Sequence, residues 1–98
     1  MDKIIKDLQA KYKEELLRNN IDILCQYYEP FLRCRLLKNN IIQDYEFSKE
    51  EMIEIFNFVK NEKINRFPED NRLVIRLDKN GVSMKFDFDK EFAEEHSR

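Results

Sequence analysis

The chain has 98 residues, of which 42% are hydrophobic and 39% are charged, and its formal net charge is −2. This length suits one hydrophobic core, so we expect residues 1–98 to form a single domain. An aromatic content of 12% argues against disorder, and the small net charge excludes a general attraction to nucleic acid or to anionic membranes.

The first predicted element is an amphipathic helix over residues 2–18. Apolar residues recur there at helical spacing between charged ones, namely Ile4, Ile5, Leu8, Tyr12 and Leu16. Asp2 can cap the start of this helix. Asn19 and Asn20 can end it, because Asn tolerates the left-handed conformation of a helix C-cap.

Residues 21–40 have two interpretations. The apolar spacing of the first half fits a helix, but Pro30 disfavours a helical conformation at the residue before it. Apolar and polar residues then alternate over 32–38, which predicts a strand, and the two asparagines that follow predict a turn into a second strand over 41–47. We favour this hairpin, and a second helix is the alternative.

The next element is a helix from Ser48 to about residue 63. Ser48 and Glu51 form the pattern of a capping box, in which each side chain accepts a hydrogen bond from a backbone N–H of the first turn. Phe47 and Met52 take the positions of a hydrophobic staple. The apolar residues that predict the buried side of the helix are Met52, Ile53, Ile55, Phe56, Phe58 and Val59.

The clearest local pattern is RLVIRLDKNGVSMKFDF, residues 72–88. Apolar and polar residues alternate on both sides of Asn80-Gly81, a dipeptide typical of two-residue hairpin turns because both residues can adopt positive φ. The apolar pairs that this turn predicts are Leu77 with Met84, Ile75 with Phe86 and Leu73 with Phe88. All of these side chains then share one face of the hairpin.

These elements, with a last helical turn over residues 91–95, predict the order α-β-β-α-β-β. We therefore expect an α+β domain in which a small antiparallel sheet has helices packed on one face.

No motif in the sequence predicts catalysis. Gly81 is the only glycine, so a glycine-rich phosphate loop cannot form, and the lone His96 is expected to be exposed in a charged tail. Cys25 and Cys34 have no evident base nearby and lack the ligand spacing of a zinc site. We expect two reduced thiols in or near the core, no enzymatic activity, no cofactor and no metal.

The sequence lacks the patterns of a secretory signal peptide and of a membrane span. The N-terminus has no apolar signal-peptide core, and no run approaches the roughly 18 apolar residues of a membrane span. Together with the reduced thiols, this predicts a cytoplasmic protein.

Charge is unevenly distributed along the chain. Residues 1–40 carry eight basic and six acidic side chains, whereas residues 41–98 carry ten basic and fourteen acidic ones. An acidic half without catalytic groups suits a protein that covers a basic partner, since opposite charges speed encounter and set specificity. The predicted contact residues are Asp44, Glu46, Glu50, Glu54, Asp87 and Asp89.

The order of helix, polar loop and hairpin over residues 47–92 matches a known pattern. The residues that carry the match are Ile75, Leu77, Asp78, Gly81, Phe86, Asp87, Phe88 and Asp89. This half of the chain resembles the C-terminal half of the YezG-type immunity proteins of bacterial polymorphic toxin systems, although it lacks the tryptophan that usually precedes their hairpin. The resemblance implies an antitoxin that binds and blocks a cognate toxin, often a nuclease.

Two other functions fit the sequence. A phage-encoded inhibitor of the anti-CRISPR type would use an acidic surface to mimic nucleic acid. A small RNA-binding module would use Arg33, Arg35 and Tyr27, because basic and aromatic side chains together recognise single-stranded bases. Self-association is compatible with each of these functions.

Overall fold

The computed structural model describes residues 1–96, which form a five-stranded antiparallel sheet and three helices. The helices are α1 (Asp2–Lys11), α2 (Lys49–Asn65) and α3 (Lys90–His96), and a 3₁₀ turn spans Glu15–Leu17. The strands are β1 (Ile21–Tyr28), β2 (Phe31–Lys38), β3 (Ile41–Ile42), β4 (Arg72–Asp78) and β5 (Gly81–Asp87). The predicted α+β class is confirmed, and β1 is the strand added to the predicted order.

The sheet has the order β3-β2-β1-β4-β5, so β1 is central and joins the two hairpins. Helices α1 and α2 pack on one face, over side chains that are at most 1% exposed, including Ile21, Ile23, Cys25, Leu73, Ile75 and Leu77. Helix α3 lies on the opposite face, where the guanidinium of Arg33 stacks over Phe92. Two of the three helices therefore share one face, as predicted, and the third does not.

Helix α1 is shorter than the helix predicted over residues 2–18. It ends at Lys11, and Leu16 reaches the core from the 3₁₀ turn instead. Between them, Lys13 and Glu14 are both exposed. With no apolar side chain to bury at these positions, tertiary packing does not support another α-helical turn.

The predicted caps of this helix are wrong at both ends. Met1 is the N-cap residue, and Asp2 lies in the first turn without a capping hydrogen bond. Asn19 and Asn20 do not adopt positive φ. The side chain of Asn39 instead accepts the Asn20 N–H at 3.1 Å, so these asparagines tie the start of β1 to the turn after β2.

The first hairpin joins β1 to β2 through a turn at Glu29–Pro30, whose peptide bond is cis. The predicted turn at Asn39-Asn40 is confirmed, with φ of 50° and 69°, but the strand predicted over 41–47 shortens to the two residues of β3. The helical alternative for residues 21–40 is wrong. A central strand is buried on both faces, and in β1 Leu24 interrupts the alternation of apolar and polar residues between Asp22 and Gln26.

The second hairpin has the predicted faces but a different register. Its cross-strand neighbours are Leu73 with Phe86, Ile75 with Met84 and Leu77 with Val82. The turn residues are Lys79 and Asn80, because the Asp78 carboxylate accepts the Asn80 N–H at 2.8 Å and Gly81 alone has positive φ. Each pairing moves by two residues from the prediction, so Met84 and Phe86 keep the predicted side of the sheet. Phe88, predicted to share that side, lies beyond β5 and is 55% exposed.

Helix α2 begins at the predicted capping box. The Ser48 N–H donates to the Glu51 carboxylate at 2.8 Å, and the Glu51 N–H donates to the Ser48 hydroxyl at 3.1 Å. Ile55 and Val59 are buried as expected. Ile53 was predicted to widen the buried stripe but is 51% exposed, so the helix presents an apolar side chain to solvent.

Candidate functional site

The segment between β3 and α2 presents carboxylates to solvent because it is extended. Successive side chains of an extended chain point to opposite sides; Tyr45 and Phe47 are half-buried here, whereas Asp44 and Glu46 are exposed. The rings of Tyr45 and Phe47 meet edge to face, with their centres 4.9 Å apart. Glu50, in the first turn of α2, is exposed as well. We call Asp44, Glu46 and Glu50 the acidic ridge.

Tyr45 fixes the acidic ridge to the body of the protein. Its hydroxyl donates to the Glu51 carboxylate at 3.0 Å, and the ammonium of Lys11 lies 4.7 Å from its ring centre. Burial, and then the hydrogen bond to Glu51, raise the pKa of Tyr45 to about 12. The hydroxyl therefore remains protonated at neutral pH, and the ridge is held against both α1 and α2.

The three ridge carboxylates receive no hydrogen bond or ion pair from residues 1–96. Glu54, the fourth acid predicted on this side, is different because its carboxylate lies 3.0 Å from the α-amino group of Met1 and accepts the Ile4 N–H at 3.4 Å. A cleft of about 110 Å³ beside the ridge is lined by Glu50, Glu54 and Lys3, among others. The ridge therefore offers free carboxylates, whereas Glu54 is committed to holding α1.

Asp87 and Asp89, the other two predicted contact residues, hold the end of the second hairpin. Arg72 donates to both oxygens of Asp87 at 2.7 and 2.6 Å, and this hydrogen bonding lowers the pKa of Asp87. Asp89 accepts the Phe92 N–H at 3.1 Å, which lowers its pKa, and also accepts a hydrogen bond from Gln26 at 3.1 Å. Both carboxylates are thus occupied within the fold.

The six predicted contact residues are therefore divided between two places. The acidic ridge follows β3 at one edge of the sheet, and Asp87 ends β5 at the opposite edge. Four strand spacings of about 4.8 Å lie between these edges. Arg72, which binds Asp87 and approaches Asp89, was not singled out from the sequence, because a lone arginine at a strand start has no distinctive pattern.

The residues of the RNA-binding alternative are also divided. Tyr27 faces the core and is 6% exposed, whereas the strand register places Arg33 and Arg35 on the other face of the sheet. Arg33 donates two hydrogen bonds to the Gln26 side-chain oxygen, at 2.9 and 2.6 Å. Aromatic residues that share this face with the two arginines are Tyr28 and Phe31, which the side-chain period of two could have identified once both strands were recognised.

The two thiols lie side by side on neighbouring strands. Cys25 and Cys34 are cross-strand neighbours with their sulfur atoms 3.9 Å apart, and both are reduced. The hydrogen bond with Cys34, and then burial, raise the pKa of the Cys25 thiol. His96, expected to be exposed, is half-buried, and its Nδ1 lies 2.9 Å from the Phe92 carbonyl oxygen.

Over residues 1–96, no group of three or more His, Cys, Asp or Glu side chains is arranged to hold a metal ion. In the same range, no helix combines the length and the apolar character needed to cross a membrane. Comparison of the chain with protein-family models, with curated proteins and with solved structures gave no match. The proposal on function therefore rests on the residues of the chain and on the geometry described above.

Proposed function

We propose that the chain is a non-catalytic inhibitor that binds a basic partner protein through the acidic ridge. The observation that carries this proposal is a contrast between two groups of acids. Asp22 and Asp87 in the sheet are paired with arginines, whereas the ridge carboxylates have no partner within residues 1–96. Like charges held close together repel one another, and lysine or arginine side chains of a partner would relieve this repulsion.

An exposed apolar residue beside the ridge supports the same proposal. Ile53 is 51% exposed and follows Glu50 by three residues, so the two side chains are neighbours on the surface of α2. Protein interfaces combine an apolar centre with a polar rim. Ile53 and Glu50 provide both parts side by side on α2.

Within this class, the residues favour an immunity protein of a bacterial toxin system, acting in the cytoplasm. Helix α2 and the second hairpin carry the pattern that resembles the YezG-type proteins. A toxin that acts on nucleic acid needs a basic surface to approach phosphates, and such a surface is complementary to the ridge. A phage-encoded inhibitor that mimics nucleic acid would use the same carboxylates, and the identity of the partner separates these two origins.

The test is a comparison of three tagged baits in lysate of the source cells. The ridge variant reverses three charges and is Asp44→Lys/Glu46→Lys/Glu50→Lys. The control variant reverses three other exposed acids and is Glu69→Lys/Glu91→Lys/Glu95→Lys. Both variants change the net charge by the same amount. A difference in the protein that they retain therefore depends on where the charges lie and not on how many were reversed.

We expect the wild-type chain and the control variant to retain one basic protein that salt releases, and the ridge variant to lose it. The purified wild-type chain should then inhibit the activity of that protein. Retention by the ridge variant at the wild-type level would refute the ridge as the contact surface. A retained protein whose activity the chain leaves unchanged would refute the inhibitory function.

A further inference from the structure

The face of the sheet opposite α1 and α2 is covered only in part. Helix α3 covers one end, where Phe92 is 4% exposed and the ring of His96 lies 5.2 Å from the ring of Tyr28. No other helix of residues 1–96 lies on this face. We call the remainder the open face, and the strand register places on it Asp22, Leu24, Arg35, Leu37, Val74, Arg76, Ser83 and Lys85.

One row across the open face has a cation at each end and apolar residues in the middle. The strand register places Arg35, Leu24, Val74 and Lys85 side by side on β2, β1, β4 and β5. Leu24 and Val74 are only half-buried. Since neighbouring strands are about 4.8 Å apart, the two cationic residues are separated by about 14 Å.

The two cations of this row differ from the arginine next to them. Arg76 donates two hydrogen bonds to Asp22, at 2.9 and 3.0 Å. Neither Arg35 nor Lys85 forms an ion pair with any residue in the range 1–96. Lys85 attracts Asp87, whose two oxygens already accept hydrogen bonds from Arg72, so both cations can still pair with anionic groups from outside the chain.

The open face is also concave on one side. A groove of about 410 Å³ lies along β4 and β5, and its lining includes Val74, Arg76, Ser83 and Lys85. Met84 and Asp87 complete the lining of this groove. Such a groove accepts apolar side chains from an element that docks on the sheet.

Helix α3 shows what kind of element this face of the sheet binds. Its sequence, KEFAEEH, is acidic, and it buries the single aromatic residue Phe92 against the sheet. The carboxylate of Asp89, just before the helix, lies 3.4 Å from a guanidinium nitrogen of Arg72. The covered end of the face thus holds a short helix by the ring contacts of Phe92 and His96 and by the pairing of Arg72 with Asp89, the residue before the helix.

We propose that the open face binds an amphipathic α-helix of a partner protein, with acidic residues on both sides of its apolar stripe. A helix with its side chains is about 10 Å across, so it fits between two cations about 14 Å apart. The apolar stripe covers Leu24 and Val74, and the flanking carboxylates pair with Arg35 and Lys85. This surface shares no residue with the acidic ridge and selects the opposite charge, so it goes beyond the proposed function.

The probe is a fluorescent helical peptide of about 18 residues, with leucines at helical spacing and glutamates along both sides. A second peptide with lysines in place of the glutamates tests charge, and single-stranded oligouridine tests whether the face prefers nucleic acid. Arg35→Glu/Lys85→Glu removes both cations of the row. Lys6→Glu/Lys13→Glu, on the opposite side of the sheet, is the matched control, and circular dichroism checks that each variant is folded.

We expect the glutamate peptide to bind, and to shift the backbone amide NMR signals of Leu24 and Val74. Binding should weaken about tenfold or more in Arg35→Glu/Lys85→Glu and should not change in the control. No binding of the glutamate peptide, or equal binding of the lysine peptide, would overturn the proposal. Oligouridine binding that needs Arg35 and Lys85, without peptide binding, would also overturn it and assign the face to nucleic acid.

Discussion

Replacing Asp89 with Ala should destabilise the protein far more than the loss of an ordinary surface acid. One oxygen of its carboxylate accepts the Phe92 N–H at the start of α3. The other lies 3.1 Å from the Gln26 amide nitrogen on β1 and 3.4 Å from Arg72 on β4. The side chain is 16% exposed, so water can replace few of these interactions when it is truncated.

The size of the effect follows from the three interactions. Loss of a helix N-cap costs about 1 kcal/mol. Gln26 is 7% exposed, and leaving its amide without an acceptor costs about 1 kcal/mol more. With the weak ion pair to Arg72, Asp89→Ala should cost about 2.5 kcal/mol. Asp89→Asn should cost about half as much, because Asn is an equally good N-cap residue.

Urea unfolding followed by far-UV circular dichroism measures these free energies. Asp44→Ala, which truncates an exposed acid of the ridge, is the matched control and should lie within about 0.5 kcal/mol of the wild type. If Asp89→Ala cost no more than Asp44→Ala, Asp89 would be a free surface acid. Asp89 would then be free to contact a partner protein, as the sequence predicted.

Three further predictions concern the ion pair, the helix cap and the thiols. Because Arg72 lowers the pKa of Asp87 below its ordinary value of 3.8, the pair stabilises the fold fully above that value and is lost as the pH falls through the folded-state pKa. Urea titrations between about pH 5 and pH 3 should therefore show a smaller loss of stability in Arg72→Met than in the wild type; an equal or larger loss would contradict the pairing. Ser48→Ala should lower the urea midpoint, with a loss of about 1 kcal/mol and an unchanged denaturant slope, and no loss would mean that the capping box contributes nothing. Diamide, which accepts two hydrogens from two thiols, should convert Cys25 and Cys34 to an intramolecular disulfide, seen by mass spectrometry as a monomer lacking two hydrogens. A monomer of unchanged mass would count against the short sulfur–sulfur distance.

Features set by residues close together in the sequence were predictable. The capping box of Ser48 and Glu51 needs only residues three apart, and both of its hydrogen bonds are present. The turn predicted at Asn39-Asn40 is likewise local, and both residues adopt positive φ there. The sides of β4 and β5 were predicted correctly because alternation has a period of two, so a register shift of two residues leaves them unchanged. The exception is Phe88, which lies beyond β5 and is exposed.

Features set by distant residues were not predictable in the same way. Strand β1 was obscured because six of its eight residues are buried, on both faces of the sheet, and Leu24 interrupts the alternation of apolar and polar residues that identifies a strand. Asp89 appeared to be a free acid because its partner Gln26 is 63 residues away in the sequence. The row of the open face joins Arg35 and Lys85, which are 50 residues apart in the numbering, and only the strand register brings them into line.

The most direct test of the acidic ridge is the affinity of the purified chain for the partner that it retains from lysate. Isothermal titration would compare the wild type with the ridge variant and the control variant defined above. We expect the ridge variant to bind about tenfold more weakly or worse, and the control variant to bind like the wild type. Unchanged affinity in the ridge variant, or the same loss in both variants, would show that the ridge is not the surface that recognises the partner.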